Sequence, residues 1–441
     1  MGLKGKGLAV LTFGCQMNEY DSERMSGALG QEGFVLTEDL EEAQVILLNT
    51  CSIREKAEQK FYSQLGRLAR MKRKNPALCI GVGGCIAQLE GERIFERAPY
   101  VDLIFGTQNL SRLPDLLKKV VETRTRVADV SRNEDEEAGP IPIRRENGVK
   151  AWVAIMQGCD NFCSYCVVPA ARGPQRSRLS RRIREEIEGL VQKGYKEVTL
   201  LGQNVNAYGK DSQGEMGFAG LLSLIHGVKG LERIRFVTSH PKDLLEELME
   251  AMAVLPKVCE HLHLPVQSGS NRVLSLMNRK YGAEEYREKI NRLRGLIPQI
   301  GLSTDLIVGF PGETEEDYAA TRGLVESIQY DSIYLFKYSP RPGTAATDLP
   351  DPVPEEVKQE RFEAILALQR EITLRKNREL ERAVVEVLVE GRSKRDSEKL
   401  TGRTRSNKIV NFHGPQEFVG CLVDLEVVKG KLYSLEGQLL D

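Results

Sequence analysis

The chain has 441 residues, of which 41% are hydrophobic and 28% charged, and its formal net charge is −1. That length suits two to four domains with cores of their own, and the composition is that of a soluble globular protein. Near-neutrality excludes wholesale coating of nucleic acid but leaves room for local basic patches.

The opening MGLKGKGLAVLTF holds too short an apolar run for a signal peptide, and no later segment approaches the length of a membrane span. A cytoplasmic protein with no membrane association is expected. Residues 7 to 122 alternate short apolar runs with helical patterns. GLAVLTF (7–13), AQVILLN (43–49), ALCIGVG (77–83) and Val101–Phe105 read as strands. Helices are expected after them, through Met25 and Leu29, from Ser52 to Lys74, from Ala87 and from Asn109. Strands alternating with helices predict an open parallel α/β sheet covered on both faces, over residues 1–122. Cys15, Cys51 and Cys85 each follow the carboxyl end of one of these strands, in FGC, NTC and GGC. Any one of them alone reads as a small buried hydrophobe. Three at the same topological position, where the loops of such a sheet converge, read as a ligand set. Cys79, Cys259 and Cys421 read as core residues.

Residues 123–148 are charged, proline-containing and aperiodic, with a solvated acidic run at 134–137, and read as a linker or an ordered crossover. From 149 to 376 the alternation resumes. Strands are expected at 151–157, 197–203, 233–239, 260–266, 302–309 and 332–338. Six βα units suit an open partial barrel with its site at the carboxyl ends of the strands. Gln203, Asn204, Ser239, His240, Gln267, Ser268 and the turn Gly309–Gly312 all fall at that rim. From 377 to 441, segments 383–391, 408–412, 419–430 and 431–439 read as strands of a small antiparallel barrel of the oligonucleotide-binding kind. Arg392, Lys394, Arg395, Lys399, Arg403, Arg405 and Lys408 form a basic cluster there that could track phosphates. A second basic stretch, Arg172, Arg176, Arg178, Arg181, Arg182 and Arg184, suggests a substrate phosphate, or else a helix surface paired with Glu185, Glu186 and Glu188.

The most telling stretch is MQGCDNFCSYCVVPAARG, residues 156–173, after the first strand of the partial barrel. Cys159, Cys163 and Cys166 stand at C-x3-C-x2-C spacing, and thiolates suit iron–sulfur clusters and zinc. A closed zinc site wants four ligands, and no fourth Cys or His lies nearby, which leaves a zinc knuckle with a distant ligand or unrelated thiols as the plainer readings. Three ligands on a four-iron cluster leave one iron open to a small molecule. Tyr165 adds a flat face that could lie against a base.

The spacing resembles the cluster loop of radical S-adenosylmethionine (SAM) enzymes. With FGCQMNEYDSERM, NTCSIREKAEQK, GGCIAQLEG, VDLIFGTQNL, QGCDNFCSYCVVP, LGQNVNAYG, HLHLPVQSGSNRVL, LSTDLIVGFPGETEEDY, YSPRPGTAA and LTGRTRSNKIVNF in collinear order, nearly the whole chain resembles the methylthiotransferases. The MiaB-type branch, which acts on isopentenyladenosine in tRNA, is the most similar. The chain departs from the family's usual pattern at Ala170, Ala171, Pro174 and Gln175.

The resemblance implies a [4Fe–4S] cluster on Cys159, Cys163 and Cys166 that cleaves SAM to a 5′-deoxyadenosyl radical. It implies a second [4Fe–4S] cluster on Cys15, Cys51 and Cys85 that presents sulfur, and a second SAM that methylates it. The product would be the 2-methylthio derivative of isopentenyladenosine 37 in the tRNA anticodon loop, whose unpaired base can be splayed into a site. Tyr165, Gln203, Gln267 and Ser303 are expected near SAM. The C-terminal barrel resembles a TRAM domain, with Arg392, Lys394, Arg395, Arg403, Arg405 and Lys408 expected on RNA. An electron donor such as flavodoxin or ferredoxin and a monomeric state complete the expectation. The alternatives are a methylthiotransferase for threonylcarbamoyl-adenosine or a ribosomal-protein aspartate, and a non-catalytic iron–sulfur RNA-binding sensor.

Overall fold

The computed structural model describes residues 4–52, 55–132, 141–145 and 148–440. The chain packs into two compact units: Met1–Glu146 with Gln157–Asn161 and Cys166–Gln175, and Asn147–Met156 with Phe162–Tyr165 and Arg176–Asp441.

The first unit is built on a parallel sheet of β1 (Gly7–Phe13), β2 (Val35–Leu36), β3 (Val45–Thr50), β4 (Cys79–Gly84), β5 (Leu103–Phe105) and β6 (Val127–Asp129), in the order β2-β1-β3-β4-β5-β6. β3 and β4 are buried at every residue, as continuous apolar runs in the middle of a parallel sheet should be. One apolar cluster holds Ile46, Leu48, Ile80, Val82, Phe61 and Leu68. The other holds Val45, Leu47, Leu103, Phe105, Met25 and Leu117, so alternate strand residues serve opposite layers. β6 falls within the segment read as linker or crossover and adds an edge strand. The acidic run at 134–137 lies outside the described residues.

The second unit contains β7 (Lys150–Ala154), followed by the short β8 (Met156–Gln157) and β9 (Arg176–Ser177) that bracket the cysteine loop in sequence. β10 (Glu197–Leu201), β11 (Arg233–Phe236), β12 (His261–His263), β13 (Gly301–Val308) and β14 (Ser332–Lys337) follow. They form two parallel sheets, β11-β10-β7 and β12-β13-β14, and the parallel bridge Ile234–Val258 spans the gap. The strands thus stand in chain order, as an open partial barrel requires. Its shell buries Ile183, Ile187, Leu222, Leu248, Ile290 and Leu324 from the surrounding helices against the sheets.

The C-terminal part is a closed barrel of β15 (Val384–Arg392), β16 (Leu400–Thr404), β17 (Ile409–Phe412), β18 (Leu422–Gly430) and β19 (Leu435–Leu439), ordered β15-β16-β17-β19-β18. β16 lies within the stretch read only as a basic connection. This barrel docks on the amino-terminal ends of the larger barrel's strands. Lys150 Nζ reaches Glu390 at 2.7 Å. Arg233, whose side chain is 0% exposed, donates to Arg403 O at 2.6 Å and to Glu386 Oε1 at 2.7 Å. Arg235 pairs with Glu197 at 2.9 Å and donates to Thr404 O and Arg405 O. Arg405 pairs with Glu260, and Lys408 with Asp331 at 2.8 Å. Glu197, Arg233, Glu260 and Asp331 all stand at or just before a strand start, so the seam lies at the end of the barrel opposite the strands' carboxyl rim.

Candidate functional site

Register brings the first three cysteines together. Phe13 pairs with Thr50, and Thr50 with Gly84, so β1, β3 and β4 end side by side at one level. Cys15 follows its strand by two residues, and Cys51 and Cys85 follow theirs by one. Cys15 caps the helix Gln16–Gln31 and Cys85 opens the helix Cys85–Glu90. A helix amino terminus favours a thiolate. Gly84 makes the turn possible: its φ is +89°, and a Cβ there would stand 2.5 Å from both Asn49 Oδ1 and Thr50 O.

Beneath the thiols lies a buried polar network absent from the sequence expectations. Asn18 Nδ2 donates to Asn49 Oδ1 and to Thr50 O, each at 3.1 Å. Asn49 Nδ2 returns to Asn18 O at 2.7 Å and reaches Ser22 Oγ at 3.0 Å. Both asparagines are fully buried, so the network fixes strand ends that would otherwise be free to shift. The signal was the Asn closing the apolar run VILLNT, since an unpaired amide does not belong in a buried strand.

Arg172 completes the cluster. Nη2 donates to Asp21 Oδ2 at 2.8 Å, with both side chains buried. Cys15 is brought down to about 6, first by a hydrogen bond from Cys51 and further by the Arg172 charge and the Asn18 and Met17 amides, against the pull of burial. Burial pushes the Cys85 thiol up, and Arg172 opposes that rise. Burial works against the guanidinium charge itself, but Cys85, Asp21 and Cys15 outweigh it and raise its pKa.

The second cysteine set lies in the loop after β8. Gly158, at φ +77°, lets the chain pass Pro174, whose carbonyl oxygen would be 1.9 Å from a Cβ there. Cys159 and Cys163 are buried and Cys166 half-buried. Backbone amides point at two of the sulfurs: Asn161 N at Cys159 (3.4 Å) and Val168 N at Cys166 (3.5 Å). Cys163 receives Arg279 Nη1 at 3.4 Å. Arg279, which carries no motif signal in the sequence, also donates through Nε to the Tyr281 hydroxyl at 2.8 Å and through Nη2 to Pro265 O at 2.8 Å. Each cysteine set therefore carries one buried arginine, a fixed positive charge that suits thiolate ligands.

The departures from the family pattern act through backbone. Ala171 O accepts from Thr107 Oγ1 at 2.7 Å, Ala170 O accepts from Arg132, and Gln175 N donates to Asp160 Oδ1 at 2.9 Å. No side chain at 170, 171 or 174 is needed for these contacts.

Among the described residues, no three His, Cys, Asp or Glu side chains converge on a single ion. A cubane instead wants its three thiolates at separate corners, which is what adjacent strand ends supply. Arg172 bears on the Cys85 thiol both by its charge and by a side-chain hydrogen bond, so the first site holds a buried donor suited to thiolate sulfur. At the rim of the partial barrel, Asn204 Oδ1 and Ser239 Oγ are buried without hydrogen-bond partners. Asn204 is otherwise held by Asp243, which Lys210 also pairs. Both the Asn204 and the Ser239 oxygen are left able to accept a hydrogen bond.

Of the residues expected at SAM, Tyr165 stacks edge-on against Phe310, with centroids 6.5 Å apart. Gln267 has φ +73°, with its backbone bridging to Asp305 O and Ile307 N. Ser303 Oγ lies between His261 Nε2 (3.2 Å) and His263 Nδ1 (3.0 Å). Gln203 directly follows β10 and its Gly202.

The basic stretches divide. Arg178, Arg182 and Arg184 pair with Glu186, Glu185 and Glu188 at 2.8, 3.3 and 2.8 Å, and Arg172 is buried. The phosphate reading of that stretch gives way to the helix-surface reading for three of its members. In the C-terminal barrel Arg403, Arg405 and Lys408 are committed to Glu390, Glu260 and Asp331. Opposite charges at close range hold them against the protein, which corrects their expected place on RNA. Arg392, Lys394 and Arg395 remain exposed on the β15–β16 hairpin.

The sequence matches three family descriptions: "Uncharacterized protein family UPF0004" over residues 7–106, "Radical SAM superfamily" over 153–325 and "TRAM domain" over 378–440. A curated protein from Carboxydothermus hydrogenoformans, named tRNA-2-methylthio-N(6)-dimethylallyladenosine synthase, is 50% identical over 437 residues, covering 99% of each chain. Proteins of the same name from Thermoanaerobacter sp. and Clostridium botulinum (strain Okra) are 48% and 49% identical, covering 99% and 97% of this chain and 94% and 96% of their own. Among solved structures, the radical SAM methyltransferase TsrM from Kitasatospora setae superposes with TM-score 0.57 at 15% identity, over 78% of this chain and 75% of that one. The cobalamin-dependent radical enzyme OxsB does so with TM-score 0.54 at 15% identity, over 84% and 56%. Those two likenesses speak for the fold.

Proposed function

The chain belongs to the radical SAM methylthiotransferases whose curated members are named tRNA-2-methylthio-N(6)-dimethylallyladenosine synthase, and on that premise we propose the reaction and the residues that serve it. The enzyme converts isopentenyladenosine 37 of tRNA to its 2-methylthio derivative, using [4Fe–4S] clusters and SAM. Carbon 2 of adenine is a poor electrophile and carries no acidic hydrogen, so replacement of that hydrogen by sulfur needs the radical chemistry that a reduced cluster and SAM supply.

We assign Cys159, Cys163 and Cys166 to the SAM-cleaving cluster and Cys15, Cys51 and Cys85 to the sulfur-bearing one. The observation that carries the second assignment is the register of Phe13, Thr50 and Gly84, which sets three thiols on neighbouring strand ends. Arg279 and Arg172 offset thiolate charge at the two sets. Tyr165, Gln203 and Gln267, with Asn204 and Ser239, are assigned to SAM, whereas Ser303 pairs with the first residue of β14 and is held by His261 and His263 at the opposite end of the strands. The TRAM barrel binds the tRNA, and Arg392, Lys394 and Arg395 are its proposed phosphate contacts. No helix among the described residues is long and apolar enough to cross a membrane. A cytoplasmic monomer fed electrons by a flavodoxin or ferredoxin is part of the same proposal.

The test is anaerobic incubation of the reconstituted protein with SAM, a reductant and isopentenylated tRNA, followed by mass analysis of nucleosides. Methylthio-isopentenyladenosine with 5′-deoxyadenosine is expected. Absence of 5′-deoxyadenosine would remove the radical reading, and its formation without the modified base would leave the substrate wrong.

A further inference from the structure

The helix Glu55–Lys74 follows β3 in the first compact unit and packs Phe61, Leu65 and Leu68 into an apolar cluster on one side of the sheet. Its outer side carries charge of one sign. No acid stands between Glu58 and Glu90, while Lys60, Arg67, Arg70, Lys72, Arg73 and Lys74 all fall in the helix. Lys72 turns back to Asp102 at 2.8 Å. The other five are exposed, and among the described residues their side chains have no ion-pair or hydrogen-bond partner. Cations on several other helices are paired within a turn, as Arg184 is with Glu188, Lys289 with Glu285, Arg322 with Glu326 and Arg375 with Glu379.

The pattern works against the helix. Arg70 stands three residues from Arg67 and Arg73 and four from Lys74, spacings at which like charges repel. The helix dipole offsets this only in the last turn, which holds Lys72, Arg73 and Lys74 but neither Arg67 nor Arg70. A repulsion kept on a solvent face, with no local compensation, marks a functional surface. Lys60, Arg67, Arg70 and Lys74 lie at i, i+7, i+10 and i+14, a single stripe about 21 Å long at the α-helical rise. Ser63 and Gly66 lie between them, and a Cβ at Gly66 would meet nothing within 4 Å. Glycine inside a helix costs stability against alanine, and no packing within the chain asks for one here. The open spot lets another chain come against the helix backbone among the cations.

The rest of the face separates two kinds of anionic partner. Every exposed residue from 59 to 74 is Gln, Lys, Ser, Gly or Arg. An acidic protein docked there would find no aromatic or aliphatic anchor of the sort that holds protein interfaces together. Nucleic-acid interfaces are polar and strongly positive, and three of the five unpaired cations are arginines, whose forks match phosphate oxygens. We propose that this face of the helix Glu55–Lys74 is a phosphate-backbone contact for the substrate tRNA, with Gly66 at the point of closest approach. The inference rests on the chain acting on tRNA, and the test separates the two claims.

The full-length protein is titrated with isopentenylated tRNA at several salt concentrations. Arg67→Gln/Arg70→Gln should weaken binding by about 10-fold or more at physiological salt and lower the salt slope by about two units, one per lost contact. Arg70→Glu puts a carboxylate one turn ahead of Lys74, so it should raise the denaturation midpoint while weakening tRNA by about 10-fold. Gly66→Gln, which changes no charge, should weaken tRNA by about 5-fold. No tRNA binding by the unaltered protein would remove the tRNA reading and this inference with it. Normal binding there, with an unchanged slope in Arg67→Gln/Arg70→Gln, overturns the inference alone. So does a double variant that keeps its tRNA affinity but is reduced more slowly by flavodoxin, since the face would then serve an acidic protein. Unchanged affinity in Gly66→Gln overturns it too, because no backbone would then lie against the helix.

Discussion

Arg405 Nε donates to Glu260 Oε2 at 2.6 Å, and its Nη2 to Glu260 Oε1 at 2.8 Å. The two-pronged pair ties the turn after β16 to the residue just ahead of β12. The same Nη2 also reaches Pro256 O and Val258 O. With Arg233, Arg235 and Lys408 alongside, the small barrel is fastened to the larger one by cations whose partners are mostly backbone carbonyls and strand-end carboxylates.

Removing a fastening should therefore cost stability in proportion to its burial. Arg233→Ala strands Glu386 and two carbonyls and is expected to destabilise the fold by about 3 kcal/mol or more. Arg405→Ala, at a more exposed pair, should cost about 1–2 kcal/mol. Denaturant unfolding of the apoprotein measures both, and equal effects would contradict the burial argument.

The hairpin cations should behave in the opposite way. Lys394→Ala or Arg395→Ala should leave stability unchanged and lower the salt dependence of tRNA binding by about one unit of slope per contact. Lys408→Ala should lower stability and leave that slope unchanged. Binding isotherms at several salt concentrations distinguish them, and an intact slope in Lys394→Ala/Arg395→Ala would remove the hairpin from the RNA surface.

Cysteine replacement should separate the two chemistries. Cys15→Ala, Cys51→Ala and Cys85→Ala together should reduce iron from about eight to about four per chain. Such protein should still form 5′-deoxyadenosine but no methylthio product. Replacing Cys159, Cys163 and Cys166 should abolish both. Iron analysis with product chromatography reads out each case.

Two histidines predict an acid-sensitive core. Burial, reinforced by the Arg279 charge, lowers His240 to about 2, and burial with the Arg235 charge lowers His261 to about 3. Both are neutral in the folded state, while the unfolded chain takes up protons below about 6.5. Their stabilising effect is whole above that pH and declines as pH falls from about 6.5 toward 3, at about 1.4 kcal/mol per pH unit for each. His261→Asn should halve the slope of apoprotein stability against pH over pH 6 to 4. An unaltered slope would mean that other groups govern the acid limb.

The strands were legible where burial on both faces demanded continuous apolar runs, as in VILLNT and LSTDLIVG. The cysteine positions were legible because each follows such a run directly. β16 was not, because LTGRT holds an arginine and a glycine, and its strand character comes from pairing with β15 and β17. Nor could the sequence say that Arg403, Arg405 and Lys408 face carboxylates up to 145 residues away, since local charge looks alike on a solvated surface and at a seam. Arg172 was visible only as one member of a basic run. Its pairing with Asp21, 151 residues earlier, depends on how the chain returns to the first sheet.

Because Phe13, Thr50 and Gly84 are neighbours by hydrogen-bond register, the three thiols inherit their spacing from how many residues separate each from its strand. One residue inserted after Thr50 or Gly84 would advance a single sulfur by roughly 3.3 Å and turn it to the opposite side of the sheet, a fault that no nearby side-chain change could mend. Length between strand and cysteine is thus the quantity under constraint in this unit, whereas the helices that follow can vary in sequence as long as they pack.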